Sequence, residues 1–245
     1  MEEVKSVRIT TIVDNDVWRK KLLSSWGLSL FVETISEEKR YAVLMDTSGS
    51  FETLFKNASW LGVNFSSIKA IFVSHWHGDH CGSLSHVLPL SQRPIPVYVP
   101  SVSPSKIRTI KDAQGIPSVC SRPIEFKDGL ISTGEMPVGI SEHSLLINSK
   151  NKGLVVLVGC SHPGIINILK RAQEVSGVNK IFAVIGGFHI SSVTEGIAVG
   201  RFLREIDVEL VSPCHCTSID AKHGIAKIMG KRYIKNGSGK IISID

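Results

Sequence analysis

Ser74-His75-Trp76-His77-Gly78-Asp79-His80-Cys81-Gly82 is the stretch that decides how this 245-residue chain is read. It follows Ala70-Ile71-Phe72-Val73, an apolar run with the length and composition of a buried strand. It precedes Leu84, Val87 and Leu88, whose spacing begins a helical face. Three imidazoles and a carboxylate therefore sit within six residues on a strand-to-helix turn, where they can converge on one point. A packed core has no use for them, because each polar ring buried without a partner costs about 1–3 kcal/mol. A divalent metal does, since neutral imidazole and carboxylate are natural ligands of zinc, manganese and iron.

The pattern recurs along the chain. Leu154–Val158 is an unbroken apolar strand ending in Gly159-Cys160-Ser161-His162. Lys180–Ile185 is another, ending in Gly186-Gly187-Phe188-His189, and Val208–Val211 leads into Pro213-Cys214-His215-Cys216. Four apolar strands thus end in a histidine-bearing loop that feeds a helix. In α/β proteins the ligand crevice lies at the carboxyl ends of strands.

Periodicity predicts helices over 51–61 (Phe51, Leu54, Phe55, Ala58 and Leu61 inward, stopped by Gly62), from Pro163 onward, and over 192–206 and 219–229. It predicts further strands over 6–13, 28–35, 41–45, 130–132, 144–147, 231–235 and 240–244, with the charged stretch 36–40 as a hairpin connection. The expected fold is α/β: an αββα sandwich of two mixed β-sheets flanked by helices. The expected organisation is a single domain over 1–245. Residues 101–128, where Ser103-Pro104 begins a short helix, read as a helical insertion that is either a flap beside the site or a surface decoration.

The composition, 42% hydrophobic and 20% charged, is that of a globular protein and excludes extensive disorder. The net charge of +6 points to an anionic small-molecule substrate. Lys and Arg are scattered without interleaved aromatics, which argues against a nucleic-acid partner. No apolar segment resembles a signal peptide or a membrane span, so a cytoplasmic protein with no membrane partner is expected, with homo-oligomerisation left open. Five cysteines (81, 120, 160, 214 and 216) are an odd number, which argues against a disulfide framework.

His75-x-His77-x-Asp79-His80 resembles the signature of the metallo-β-lactamase fold superfamily. The segments 11–15, 26–30, 45–47, 159–164, 186–189 and 213–217 resemble one branch of it. That branch is named after an archaeal dihydropteroate-synthase-like enzyme, which joins a dihydropterin pyrophosphate to a ribofuranosylaminobenzene phosphate. The resemblance implies that His75, His77 and His162 hold a first ion, and Asp79, His80 and His215 a second. Cys160 stands where most members place a bridging Asp. Thiolate bridges two hard ions less readily than carboxylate, so the implied centre holds one or two ions. Zinc is the first expectation, with manganese, iron or magnesium as alternatives. Cys160 and His189 are expected to contact metal or substrate.

Asp46, Glu142 and His143 are expected to support the site rather than ligate: Asp46 by hydrogen-bonding a ligand histidine, Glu142 by orienting substrate or loop. His86 and His223, away from any strand end, read as surface or packing residues. The function expected is metal-dependent hydrolysis of a phosphorylated or pyrophosphorylated small molecule, with Asp79 as the catalytic residue that orients the attacking water or serves as base. One alternative is the pterin-joining transferase. Another is a metal-binding or redox-sensing protein without catalysis, with Cys81, Cys160 and Cys214 as soft ligands.

Overall fold

The computed structural model describes residues 2–37 and 39–245, so Glu38 in the charged connection lies outside it. Strands β1 (Ser6–Val13), β2 (Ser29–Ser36) and β3 (Lys39–Met45) form an antiparallel meander. Strands β4 (Ala70–Phe72), β5 (Pro96–Val99) and β6 (Ile116–Val119) continue that sheet in parallel, and β13 (Ile241–Ile244) closes its other edge against β1. A second mixed sheet runs antiparallel through β7 (Ile124–Lys127), β8 (Leu130–Ser132), β9 (Leu145–Ser149) and β10 (Gly153–Val158). It then runs parallel through β11 (Ile181–Gly187) and β12 (Leu210–Cys214).

The alternation of side chains explains why these strands read as unbroken apolar runs. Val43 and Met45 of β3, and Val155 and Leu157 of β10, point into the core between the two sheets. Their neighbours Ala42 and Leu44 point under the helices of the first sheet, and Val156 and Val158 under those of the second. Both faces are buried, so no polar alternation is needed. Each buried Val, Leu or Met among them stabilises the fold by about 1.5–3 kcal/mol. Helices α1 (Phe51–Leu61), α2 (Gly78–Cys81), α3 (Leu84–Val87) and α4 (Pro104–Asp112) cover the first sheet. Helices α5 (Ile165–Ser176), α6 (Val193–Glu205) and α7 (Ile219–Met229) cover the second, which gives the αββα sandwich. No helix of the described residues is long and apolar enough to cross a membrane.

The structure departs from the sequence reading in several places, each for a local reason. Phe55 is 46% exposed, and α1 turns Thr53, Leu54, Asn57 and Ala58 inward. Asn57 belongs there because its amide donates to Ile12 O and Leu23 O, tying α1 to the chain around it. Of residues 101–128 only α4 is helical; β6 and β7 extend the edges of the two sheets. Pro117 in β6 is tolerated because β6 is an edge strand. For the same reason Pro213 is accommodated within β12 (Leu210–Cys214), an edge strand that runs beyond the expected 208–211. Helix α5 starts at Ile165 with Gly164 as its cap, not at Pro163. Residues 231–235 form no strand: Gly230–Arg232 is a 3₁₀ turn, and Tyr233 makes one isolated bridge to Val211.

Candidate metal centre

The loops after β3, β4, β10, β11 and β12 meet at one end of the sandwich. The loop after β4 carries His75 and His77; His77 precedes α2, whose first turn places Asp79 and His80. Asp46, at the end of β3, anchors this turn. Its carboxylate accepts from Ser74 N at 2.7 Å, from Ser74 Oγ at 2.8 Å and from His80 Nδ1 at 2.7 Å. Ser74 Oγ, having donated to Asp46, accepts from His75 Nδ1 at 3.0 Å. His75 and His80 therefore carry their protons on Nδ1, and both turn Nε2 towards the centre.

The second sheet supplies the facing candidate ligands. His215 N donates to Asp14 Oδ1 at 2.7 Å, and its Nδ1 meets Asn15 Oδ1 at 3.2 Å. Asn15 Nδ2 donates back to His215 O at 3.0 Å, which fixes the Asn15 amide orientation and turns His215 Nε2 towards the centre. That nitrogen lies 3.0 Å from His80 Nε2 and 3.4 Å from Asp79 Oδ2. After β10, Glu142 accepts from the backbone N–H groups of Cys160 at 3.0 Å, Ser161 at 2.9 Å and His162 at 2.8 Å, and so shapes the loop that presents them. Cys160 Sγ stands 3.2 Å from His80 Nε2.

Ring contacts join the rest. His162 packs against His75, His77 and His189, with centroids 4.8, 4.9 and 4.7 Å away. Ligand atoms of His75, His77 and His162 lie within 4.8 Å of one another, as do those of Asp79, His80 and His215. Cys160 falls between the two triads, within the same distance of His75 and His80. His189, which is exposed, groups with Cys160 and His162.

The donor set fits a divalent cation. His80 Nε2 and His215 Nε2 stand 3.0 Å apart, a spacing that a proton shared between them or a cation held by both nitrogens would account for. His75 Nε2 and His77 Nδ1 face each other similarly at 3.1 Å, and the buried His162 Nε2 has no hydrogen-bond partner.

The electrostatics follow burial and these contacts. Burial, reinforced by the neighbouring histidines, pushes the His75 pKa far down and that of His162 to about 4. Burial works against a charged His80 too, but the Asp46 carboxylate outweighs it and raises the His80 pKa. Burial alone would raise the Asp79 carboxyl; the His215 hydrogen bond and the His80 charge hold it well below its usual range. Burial raises the Glu142 pKa against the pull of its three N–H donors. Within the Cys160–Cys216 pair, their shared hydrogen bond draws Cys216 down to about 7 and pushes Cys160 up.

His143 stands apart from the ligands. Its Nε2 donates to Val73 O at 2.8 Å, so its Nδ1 accepts from Ser132 Oγ at 2.8 Å, and its ring stacks on Phe72 at 4.0 Å. It braces the end of β4, and complete burial lowers its pKa to about 3. Neither Cys81 nor Cys214 reaches the centre. Cys81 packs under the first sheet's helices, bonded to Trp76 O, and Cys214 is buried between the sheets. His86 stacks on Phe51 at 5.1 Å, and His223 lines a separate cleft behind β12.

Sequence reasoning missed Cys216, which groups with Cys160 and His215. Period-two alternation would have put Cys216 on the Cys214 side. His215, however, has φ of 51°, and that left-handed residue resets the alternation. It also missed Trp26, 66% exposed with its ring 5.4 Å from His215, on the wall of a cleft of about 440 Å³.

Residues 29–103 match the Metallo-beta-lactamase superfamily. A relative from Methanocaldococcus jannaschii, the 7,8-dihydropterin-6-methyl-4-(beta-D-ribofuranosyl)-aminobenzene-5'-phosphate synthase, is 27% identical over 98% of this chain and 97% of its own length. Among solved structures, a metal-dependent hydrolase of the beta-lactamase superfamily aligns with a TM-score of 0.77 at 25% identity, covering 96% of this chain and 98% of its own. The metallo-beta-lactamase fold protein YhfI from Bacillus subtilis aligns at 0.71 and 12% identity, covering 98% and 99%.

Proposed function

We propose that this chain, which has the metallo-β-lactamase fold and carries a metallo-beta-lactamase superfamily domain over residues 29–103, is a metal-dependent hydrolase of a phosphorylated or pyrophosphorylated small molecule. The observation that carries this reading is the approach of His80 Nε2 and His215 Nε2 to 3.0 Å, flanked by Asp79 and by the His75–His77–His162 triad. His75, His77 and His162 would hold one divalent ion and Asp79, His80 and His215 a second, with Cys160 between them. Bound there, such ions supply Lewis-acid polarisation of a phosphoryl oxygen and acidification of water.

The chain's own groups do the remaining work. Asp79, beside His80 and His215, is placed to orient the attacking nucleophile or to accept its proton. Exposed His189 lies where a phosphate oxygen can reach it, and the net charge of +6 favours an anionic substrate. Trp26 offers an aromatic face at the cleft mouth.

A second reading is favoured by the near full-length match to a synthase. In it an aromatic amine replaces water and displaces diphosphate from a dihydropterin. One assay separates the two. The zinc- or manganese-loaded protein is given a dihydropterin diphosphate with and without the ribofuranosylaminobenzene phosphate. Diphosphate release without the amine supports the hydrolase, and release that requires the amine supports the transferase. If neither this substrate nor a panel of phosphodiesters and diphosphates is turned over, the enzymatic reading fails.

A further inference from the structure

Cys216 reaches the metal centre without belonging to either histidine triad. Its Sγ, the Cys160 Sγ and a ring nitrogen of His215 lie within 4.8 Å of one another. Cys160 and His215 in turn flank His80 Nε2, at 3.2 and 3.0 Å. The fold makes room for the Cys216 sulfur. A Cβ on Gly187, the last residue of β11, would lie 2.6 Å from it and 2.6 Å from the Gly159 carbonyl oxygen. A cysteine kept for packing alone would sit as Cys214 does, sealed among apolar residues between the sheets. Cys216 is instead half-buried on the wall of the cleft that His189, His215 and Trp26 also line.

We propose that Cys216 is a thiolate ligand of the second metal position, beside His215 and Cys160, and that this dithiol edge selects zinc, ferrous iron or cobalt over magnesium and manganese. The inference rests on the metal reading above and adds a ligand and a selectivity to it. Thiolates favour the softer ions, whereas carboxylate and water favour magnesium and manganese. Bonds of about 2.3 Å to sulfur and about 2.0–2.1 Å to nitrogen place two donors of one ion about 3.3–3.8 Å apart at tetrahedral angles. Small side-chain adjustments bring the three donors into that range. Ligation releases the thiol proton to solvent, and no electrons are transferred.

The test uses the full chain stripped by chelation and reloaded with zinc or cobalt. Zinc is expected to slow alkylation of Cys216 by iodoacetamide about tenfold or more, read by peptide mass spectrometry. Cobalt-loaded wild type is expected to show thiolate-to-cobalt charge-transfer absorption that weakens in Cys216→Ser. Zinc affinity in that variant should fall at least about 10–100-fold, and by a larger factor than magnesium affinity does. The alkylation measurement uses the wild-type chain, so it holds whether or not the variant folds. Equal alkylation of Cys216 with and without bound zinc would overturn the proposal and leave the metal reading standing. A wild-type chain that binds no divalent ion would overturn both.

Discussion

At the residue scale, the centre is held together by backbone that few side chains adopt. Asp46, Ser48, Ser161, His189 and His215 all have φ between 50° and 64°. Each such conformation costs of order 1–3 kcal/mol, and strain of this kind clusters at functional sites. Supporting hydrogen bonds offset it, and Glu142 is the clearest case. Glu142→Ala would leave the buried N–H groups of Cys160, Ser161 and His162 without acceptors, at about 1–3 kcal/mol each. Urea unfolding should show a loss of about 3 kcal/mol or more, and elemental analysis a fall in bound metal; an unchanged midpoint would contradict this role.

His143 gives a pH prediction. It is neutral in the fold, with its pKa lowered to about 3, whereas an unfolded His titrates near its usual value of about 6.5. Between these values the unfolded chain binds the extra proton, so stability is lost as pH falls from about 6.5 towards 3. Unfolding free energies of the apoprotein across that window should show the slope, and His143→Gln should reduce it by about one proton. An identical slope in the variant would rule out His143 as its source.

At the element scale, the four strand-to-loop-to-helix units are legible in sequence because burial on both faces leaves β4, β10, β11 and β12 almost wholly apolar. Helix α6 is fixed at its start by a reciprocal cap, whereas Ser103 precedes α4 without a side-chain cap bond. Ser192 accepts from Glu195 N, and the Glu195 side chain accepts from Ser192 N in return. Ser192→Ala should therefore cost about 0.5–2 kcal/mol in denaturant unfolding, with metal content unchanged. Other features depend on long-range contacts that no local pattern carries. Asn57 faces inward because Ile12 and Leu23 offer carbonyls. Pro117 and Pro213 sit in strands only because those strands are edges. Cys216 turns towards the centre because His215 adopts a left-handed conformation that residue type alone does not announce.

At the scale of the whole molecule, neither sheet alone carries the full cluster of candidate ligands. The first sheet's loops bring His75, His77, Asp79 and His80, and the second's bring Cys160, His162, His189 and His215. His80 and His215, 135 residues apart in sequence, meet at 3.0 Å only because the two sheets pack face to face. His75→Ala with His77→Ala should accordingly lose metal while keeping the circular dichroism of the parent. Both residues lie beyond the apolar strand β4, so the core does not depend on them. Full metal content in that variant would contradict their assignment as ligands. The most direct measurement is anomalous diffraction at the zinc edge from crystals of the zinc-loaded protein. Anomalous peaks are expected within about 2.0–2.3 Å of ligand atoms of His75, His77 and His162, and of Asp79, His80 and His215. Zinc bound only elsewhere on the protein, with His80 and His215 sharing no ion, would contradict the account.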